Sequence, residues 1–271
     1  MKKTILITGA SRGFGKIWAK AFLRRGDNVI ATARNLEHID DLVEEFGDAV
    51  LSLRLDVTNR AQCFSVVKNA SHHFGNLDVV INNAGYGLFG AIEEISEQEA
   101  RNQFDTNVFG SLWTTQAAIP IMKKQRKGHI IQVSSVLGLS VAPTMGMYSA
   151  SKWAVEAINE SMAGEVKEFG IHTTLIEPNR YDTEWAGPSA VRSKKIDDYD
   201  SLKSAVFSQI QKLPAGDPMA TAAAILKIVD AEAPPLRVFF GKVGLPWLKN
   251  VYAERLSLWE EWSELSDAAQ G

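Results

Sequence analysis

Tyr148 and Lys152 stand four residues apart in Tyr148-Ser149-Ala150-Ser151-Lys152, so on a helix the phenol and the ammonium share one face. A phenol ordinarily titrates near ~10, and a fixed cation beside it favours the anion, giving a proton donor and acceptor usable near neutral pH. The same step recurs at Tyr199 and Lys203, but Asp197, Asp198 and Asp200 crowd that tyrosine and would oppose a tyrosinate. A second chemical feature is the run Thr8-Gly9-Ala10-Ser11-Arg12-Gly13-Phe14-Gly15. Set between a strand and a helix, such a run exposes backbone N–H groups and the positive end of a helix dipole, which suits a pyrophosphate. The alternative is a tight turn that merely needs glycine. A P-loop is excluded, since it would need glycine at Ala10 and Ser or Thr at Ile17.

About 20 residues past such a turn, an NAD-binding unit places an Asp or Glu on the ribose hydroxyls. That position falls near Ala33, which has no carboxylate, and Arg34 follows it. Arg12 and Arg34 converging on one 2′-phosphate would select NADP(H); otherwise they are two solvated arginines.

These residues need elements to hold them. Short β-branched apolar runs at 4–7, 28–32, 50–55, 77–81, 129–133, 173–176 and 238–240 read as seven strands. Segments with helical spacing lie between them, near 14–25, 36–46, 60–74, 97–124, 149–169 and 218–231. Continuously apolar strands separated by crossover helices describe a parallel sheet covered on both faces, a doubly wound α/β fold. Its ligands lie beyond the carboxyl ends of the strands, where the glycine run, Arg34 and Ser134-Ser135 all fall. The whole of 1–271 reads as a single domain with two departures from the alternation. Residues 179–216 form a long insertion after the sixth strand, a length typical of lids or disordered loops. Residues 241–271 form a C-terminal appendage carrying Trp247, Leu248, Tyr252, Leu256, Leu258, Trp259, Trp262 and Leu265, an aromatic and apolar load expected to pack over the site or against another subunit.

With these motifs in this order, the sequence resembles the short-chain dehydrogenase/reductase family over roughly 3–240, and is similar to its 17β-hydroxysteroid and retinol dehydrogenase-like members. The pattern reads Thr8-Gly-x-x-x-Gly13-x-Gly15, Asp56-Val57, Asn82-Asn83-Ala84-Gly85, Asn107, Ser135 and Tyr148-x-x-x-Lys152. The resemblance implies a Rossmann fold with a seven-stranded parallel sheet. The family's serine lies thirteen residues before its tyrosine, which selects Ser135 over Ser134; the same count from Tyr199 lands on Ala186. By the same resemblance Tyr148 donates a proton to a carbonyl oxygen, Ser135 polarises that oxygen, and Lys152 supports Tyr148 and holds the nicotinamide ribose. Asn107 would hold a water linking Lys152 to solvent; its plainer reading is a polar helix residue bonded to backbone. Gly9, Ser11, Arg12, Gly13, Phe14, Gly15 and Arg34 would hold the phosphates. Asp56 and Val57 would meet the adenine, while Asn83, Ala84 and Gly85 would let backbone approach the adenosine. After the sixth strand the family reads Pro-Gly and then a threonine on the carboxamide. Here the run is Pro178-Asn179-Arg180-Tyr181-Asp182-Thr183, so Thr183 keeps its place while Asn179 replaces glycine.

The expected activity is an NADP(H)-dependent carbonyl reductase acting on a ketone, aldehyde or secondary alcohol. Leu137, Val141, Pro143 and Met145 would wall the pocket, with Tyr86, Phe89, Tyr181 and Trp185 nearby, which suits an apolar or aromatic substrate. The alternatives are an NADPH-binding redox sensor without turnover and a nucleotide-binding methyltransferase. A net charge of −3 lacks the basic excess that nucleic acid requires. The single Cys63 cannot form an internal disulfide, and the five histidines show no metal spacing, so a cytoplasmic, metal-free protein is expected. No stretch reaches the ~18 apolar residues of a membrane span, and the apolar start Ile5-Leu6-Ile7 is too short for an export signal. Lys123 to Lys127 reads as a solvated helix end. Ala154, Val155, Ala157 and Ile158 are too many apolar residues for one buried stripe, which points to a homodimer or homotetramer.

Overall fold

The computed structural model describes residues 2–187 and 189–271. Among these the strands are β1 (Thr4–Ile7), β2 (Asn28–Ala33), β3 (Val50–Arg54), β4 (Val79–Asn82), β5 (Leu88–Phe89), β6 (Gly128–Val133), β7 (Ile171–Pro178), β8 (Val191–Arg192) and β9 (Arg237–Phe240). The α-helices are α1 (Gly13–Arg25), α2 (Asp40–Phe46), α3 (Arg60–Phe74), α4 (Glu97–Phe104), α5 (Gly110–Gln125), α6 (Gly146–Val166), α7 (Asp200–Lys212), α8 (Thr221–Asp230), α9 (Gly244–Glu261) and α10 (Ser263–Gln270). Seven strands form one parallel sheet in the order β3-β2-β1-β4-β6-β7-β9.

The sheet is apolar on both faces because successive strand side chains point to opposite sides. Ile5, Ile7, Val29, Ala31 and Ile81 pack with Trp18, Phe22 and Leu23 of α1 and Ile225 and Val229 of α8. Leu6, Ile30, Val80 and Ile130 face the other way, onto Val66 and Val67 of α3, Ala118 and Met122 of α5, and Met162 of α6. This is the doubly wound Rossmann arrangement. The chain leaves β1 toward β2 and β3, then crosses back to β4 on the opposite side. The crevice at that switch point, beyond the ends of β1 and β4, is where such sheets bind ligands.

Three segments differ from the sequence reading. The helix expected over 97–124 is broken: α4 and α5 are joined by a π-helical turn, Asp105–Phe109, that contains Asn107. The insertion 179–216 has structure of its own, including β8 and α7. Strand β8 pairs with β5, fixing the insertion to the segment that follows β4. The appendage is helical, and only its first part packs on the body. Leu248 is buried beside Tyr148, Leu137 and Met145, and Arg255 donates to Leu139 O at 3.3 Å. Beyond it Trp259 and Trp262 are 63% and 56% exposed in the single chain, so the expected covering of these tryptophans is not supplied by their own subunit. No helix among the described residues is long and apolar enough to cross a membrane.

Candidate active site

The glycine run bends directly after β1. Gly9 sits at φ +69°, and a Cβ on Gly15 would lie 2.3 Å from Gly9 O and 2.6 Å from Asn83 Nδ2. Only a bare backbone fits there. Asn83, just past β4, ties the run in place: its Nδ2 donates to Thr8 O at 3.0 Å and Gly9 O at 2.9 Å. Thr8 Oγ1 in turn accepts from the backbone N–H groups of Asn83 and Ala84, each at 3.0 Å. The sequence reading assigned Asn83 only a close backbone approach; its side chain is a staple between the two strand ends. Arg12 is the extended residue before α1, and no side chain caps that helix, which leaves its first N–H groups for a ligand.

Beside this turn is a cavity of about 640 Å³ lined by Ser11, Arg12, Lys16, Ala33, Arg34, Asn35, Glu37, His38, Asp41 and Glu184. Arg12 and Arg34 therefore line one cavity. Lys16 pairs with Asp41 at 2.8 Å, and Arg12 lies 3.6 Å from Glu184, while Arg34 enters no ion pair among the described residues. Lys16 was missed, although it falls one turn after Arg12 at the start of α1. Phe14 does not face this cavity: its ring stacks on Trp18 at 5.3 Å and meets Tyr181 edge-on at 5.0 Å. Tyr181 is thereby drawn into the core beside α1 and away from the pocket wall where it was expected. Asp56 is exposed and accepts from Thr58 N at 3.0 Å, and Val57 is buried in the core.

Farther along the strand ends, Ser135, Tyr148, Lys152 and Asn107 come together, each less than a tenth exposed. Ser135 follows β6, and its Oγ accepts from Leu137 N at 3.1 Å, which caps a short turn and fixes the hydroxyl. Tyr148 and Lys152 lie on the first turns of α6. Lys152 Nζ donates to Val133 O at 2.7 Å and lies 5.8 Å from the Tyr148 ring centre. Burial pushes the Tyr148 phenol well above its ordinary range, with the Ser135 hydroxyl pulling the other way. The downward pull expected from the ammonium plays no part in this shift, and the phenol keeps its proton at neutral pH. Burial also lowers Lys152, to about 8, against the charge of Glu156. Asn107 fulfils the plainer of its two readings. Its Nδ2 donates to Tyr86 O and Ser151 Oγ, and its Oδ1 accepts from Tyr86 N, all at 3.1 Å. The π-turn, a device common at functional sites, delivers this amide between the chain after β4 and α6. Gly85 lies against it, since a Cβ there would be 3.0 Å from Asn107 Oδ1 and 3.9 Å from Lys152 Nζ.

The space over Tyr148 is apolar. Val136, Leu137, Met145, Tyr148 and Leu248 form one buried cluster, with Phe89, Trp185, Phe239 and Trp247 packed against it. Trp185 comes from the insertion and sits 4.9 Å from the Tyr148 ring, centre to centre. Thr183 caps the turn that carries it, accepting from Trp185 N at 3.4 Å. Val141, expected in this wall, is 59% exposed, and Pro143 is exposed too, because the chain there runs over the outer surface. The second Tyr-Lys pair is spent elsewhere: Tyr199 donates to Glu93 Oε2 at 2.7 Å and Lys203 pairs with Glu94.

This fold and this constellation define a nucleotide-binding oxidoreductase, and the comparisons with known proteins agree. The sequence model of the short chain dehydrogenase family matches residues 3–192, and the chain belongs to that family. It is 38% identical to Oxidoreductase BOA17 of Botryotinia fuckeliana, across 99% of this chain and all of that one. It is also 38% identical to a 3-ketodihydrosphingosine reductase of Bacteroides thetaiotaomicron, across 93% of this chain and 91% of the relative. The crystal structure of a short-chain dehydrogenase from Streptomyces avermitilis superposes with a TM-score of 0.92 at 34% identity, covering 99% of this chain and 98% of its own. An alcohol dehydrogenase from Thermococcus sibiricus, complexed with 5-hydroxy-NADP, matches with a TM-score of 0.73 at 26% identity, over 90% and 98% of the two chains.

Proposed function

We propose that the protein is an NADP(H)-dependent carbonyl reductase exchanging hydride reversibly between the cofactor and an apolar or aromatic ketone, aldehyde or secondary alcohol. The observation that carries this reading is the burial of Ser135, Tyr148 and Lys152 together under an apolar wall, at the same strand edge as the Arg12 and Arg34 cavity. The residues fit the cofactor: a turn in which Gly9 and Gly15 leave no room for a Cβ suits a pyrophosphate, and Arg34, in no ion pair among the described residues, suits a 2′-phosphate. Gly9, Ser11, Arg12, Gly13, Gly15 and Arg34 would hold those phosphates, with Phe14 contributing backbone alone, Asp56 and Val57 would border the adenine, and Thr183 and Lys152 would serve the nicotinamide end. The cofactor supplies or accepts the hydride when bound.

The chain's own residues do the rest. Tyr148, kept neutral by burial, hydrogen-bonds the carbonyl oxygen and gives up its proton as negative charge develops there. Ser135 donates a second hydrogen bond to the same oxygen, in a site dry enough for both bonds to count. Lys152 stabilises the tyrosinate left behind. Asn107 fixes the backbone of Tyr86 and the second turn of α6, which sets the distance between the two walls. Trp185, Leu137, Met145 and Trp247 leave the substrate no charged partner, and the Bacteroides relative is by name a ketone reductase. We further propose a homo-oligomer built on α5 and α6. Between those helices a groove of about 510 Å³ is lined by Leu112, Ile119, Ala157, Ile158 and Met162.

The test is NADPH oxidation over a panel of aryl, steroid-like and long-chain ketones, with NADH in parallel. Turnover of apolar ketones with NADPH is expected. Tight NADPH binding without turnover of any member would favour the redox-sensor reading instead.

A further inference from the structure

Tyr148, Lys152, Glu156 and Glu160 follow one another at four-residue steps on α6, so phenol, ammonium and two carboxylates share one stripe of that helix. Glu156 is 3% exposed, and Glu177, at the end of β7, is 0% exposed. Arg237 on β9 is the cation between them: its Nε donates to Glu156 Oε2 at 3.0 Å, its Nη2 donates to Glu160 Oε2 at 3.0 Å, and its Nε lies 3.5 Å from Glu177 Oε1. Among the described residues neither oxygen of Glu177 receives a hydrogen bond, and neither does Glu156 Oε1. Space for this acid is built in, because a Cβ on Gly138 would lie 2.7 Å from Ser134 Oγ and 3.2 Å from Glu156 Oε1.

Deepening the reductase reading, on which it rests, we infer that Glu156 is a positioning residue: its carboxylate, clamped by Arg237, holds Lys152 in the charged form the reaction uses, and Glu177 is its neutral, proton-bearing partner. The charges decide which acid carries the proton. The groups facing this cluster are Tyr148, whose phenol is neutral, Lys152, Glu156 and Glu160 from α6, Glu177 from β7 and Arg237 from β9. Ser134, Ser135 and Val133 O approach from β6 and Asn107 from the π-turn, none of them ionised. With Glu177 neutral, the charges of Lys152 and Arg237 balance those of Glu156 and Glu160, Arg237 by direct contact and Lys152 one helical turn from Glu156; ionising Glu177 would add an unmatched charge in the least solvated position. Glu177 also has no donor on either oxygen, while Glu156 has Arg237. Burial, then the charge of Glu156, pushes Glu177 up to about 8, whereas Arg237, Ser134 and Lys152 oppose the rise at Glu156. At Lys152, Glu156 is what resists the loss of charge that burial favours.

A purely structural cluster would tie α6 to β9 and leave Lys152 indifferent to Glu156. The distinguishing measurement is the titration of the Lys152 amine by nitrogen-15 NMR of lysine-labelled protein, in the unchanged chain and in Glu156→Gln, Glu156→Asp and Glu177→Gln. The unchanged chain should titrate near pH 8. Glu156→Gln should lower that midpoint by about one unit, and Glu156→Asp and Glu177→Gln should leave it in place. The alkaline limb of the pH–rate profile for ketone reduction should move with it. Carbon-13 NMR of labelled glutamate in the unchanged chain should show one protonated buried carboxyl at pH 7. An unmoved Lys152 midpoint in Glu156→Gln, a midpoint moved equally by Glu177→Gln, or Glu156 and Glu177 both ionised at pH 7, with no protonated carboxyl lost from the spectrum of Glu177→Gln, would each overturn the proposal. If Glu156→Gln does not fold, the carboxyl spectrum together with Glu177→Gln decides. Neither spectrum needs turnover, so a chain that reduces no ketone would overturn the reductase reading without disturbing this measurement.

Discussion

Tyr148 serves as an acid only while it holds its proton, and burial secures that by keeping the phenol neutral. Replacing it with phenylalanine removes the proton and nothing else of size. Tyr148→Phe should therefore lower turnover by the ~10² to 10⁴ typical of general acid catalysis, while NADPH affinity, read by fluorescence titration, stays the same. The proposed preference for NADP(H) rests on a different pair of residues. Ala33→Asp combined with Arg34→Leu puts a carboxylate where a ribose hydroxyl would donate and removes the one arginine of the cavity without an ion pair. The ratio of kcat/KM for NADPH over NADH should fall below one; an unchanged ratio would mean that neither residue reads the 2′-phosphate. At this scale the sequence was legible where spacing alone places residues together, as at Tyr148 and Lys152 on one face of α6. It was silent on Glu156 and Glu177, because an acid in a helix or strand ordinarily reads as solvated, and only the packed structure turns both inward.

Among the elements, the insertion is held shut by Glu94. Its fully buried carboxylate accepts from Ala91 N at 2.8 Å and Ile196 N at 2.6 Å and pairs with Lys203 of α7. The hydrogen bonds from Lys203 and Ile196 hold this acid down to about 2, so the latch is complete above the ordinary carboxylate value of 4.5 and is lost only as pH falls through about 2. Glu94→Gln should free α7, raise the KM for ketone several-fold with little change in kcat, and expose 190–215 to limited proteolysis at neutral pH. The sheet was readable in advance because most of its strands carry short β-branched apolar runs that alternate with longer helical segments. The small β5–β8 pair was not, since two-residue strands have no periodicity to detect. Nor was the π-turn: one extra residue in a turn leaves the polar and apolar pattern of 97–124 almost unbroken, and the cue was only Asn107 itself.

For the whole molecule, the groove between α5 and α6 and the exposed end of the appendage are separate surfaces, and they can be tested separately. Ile158→Arg places a charge in the groove and should convert the proposed homo-oligomer to monomer by light scattering. A chain ending at Lys242 loses Trp247 and Leu248 from the wall over Tyr148 and should bind ketone more weakly. If its mass also falls, Trp259 and Trp262 belong to the assembly.

One short turn joins the two halves of the site. Glu184 reaches Arg12 at the phosphate cavity, and its neighbour Trp185 lies on Tyr148. An ion pair this exposed is worth at most about 1 kcal/mol, so on the proposed reading a phosphate binding Arg12 would compete with Glu184, next to the tryptophan on Tyr148. The expected consequence is an order of binding, with the dinucleotide arriving first and leaving last. Product inhibition should accordingly be competitive between NADP⁺ and NADPH and noncompetitive between the alcohol and the ketone, and Glu184→Gln should relax the mechanism toward random addition.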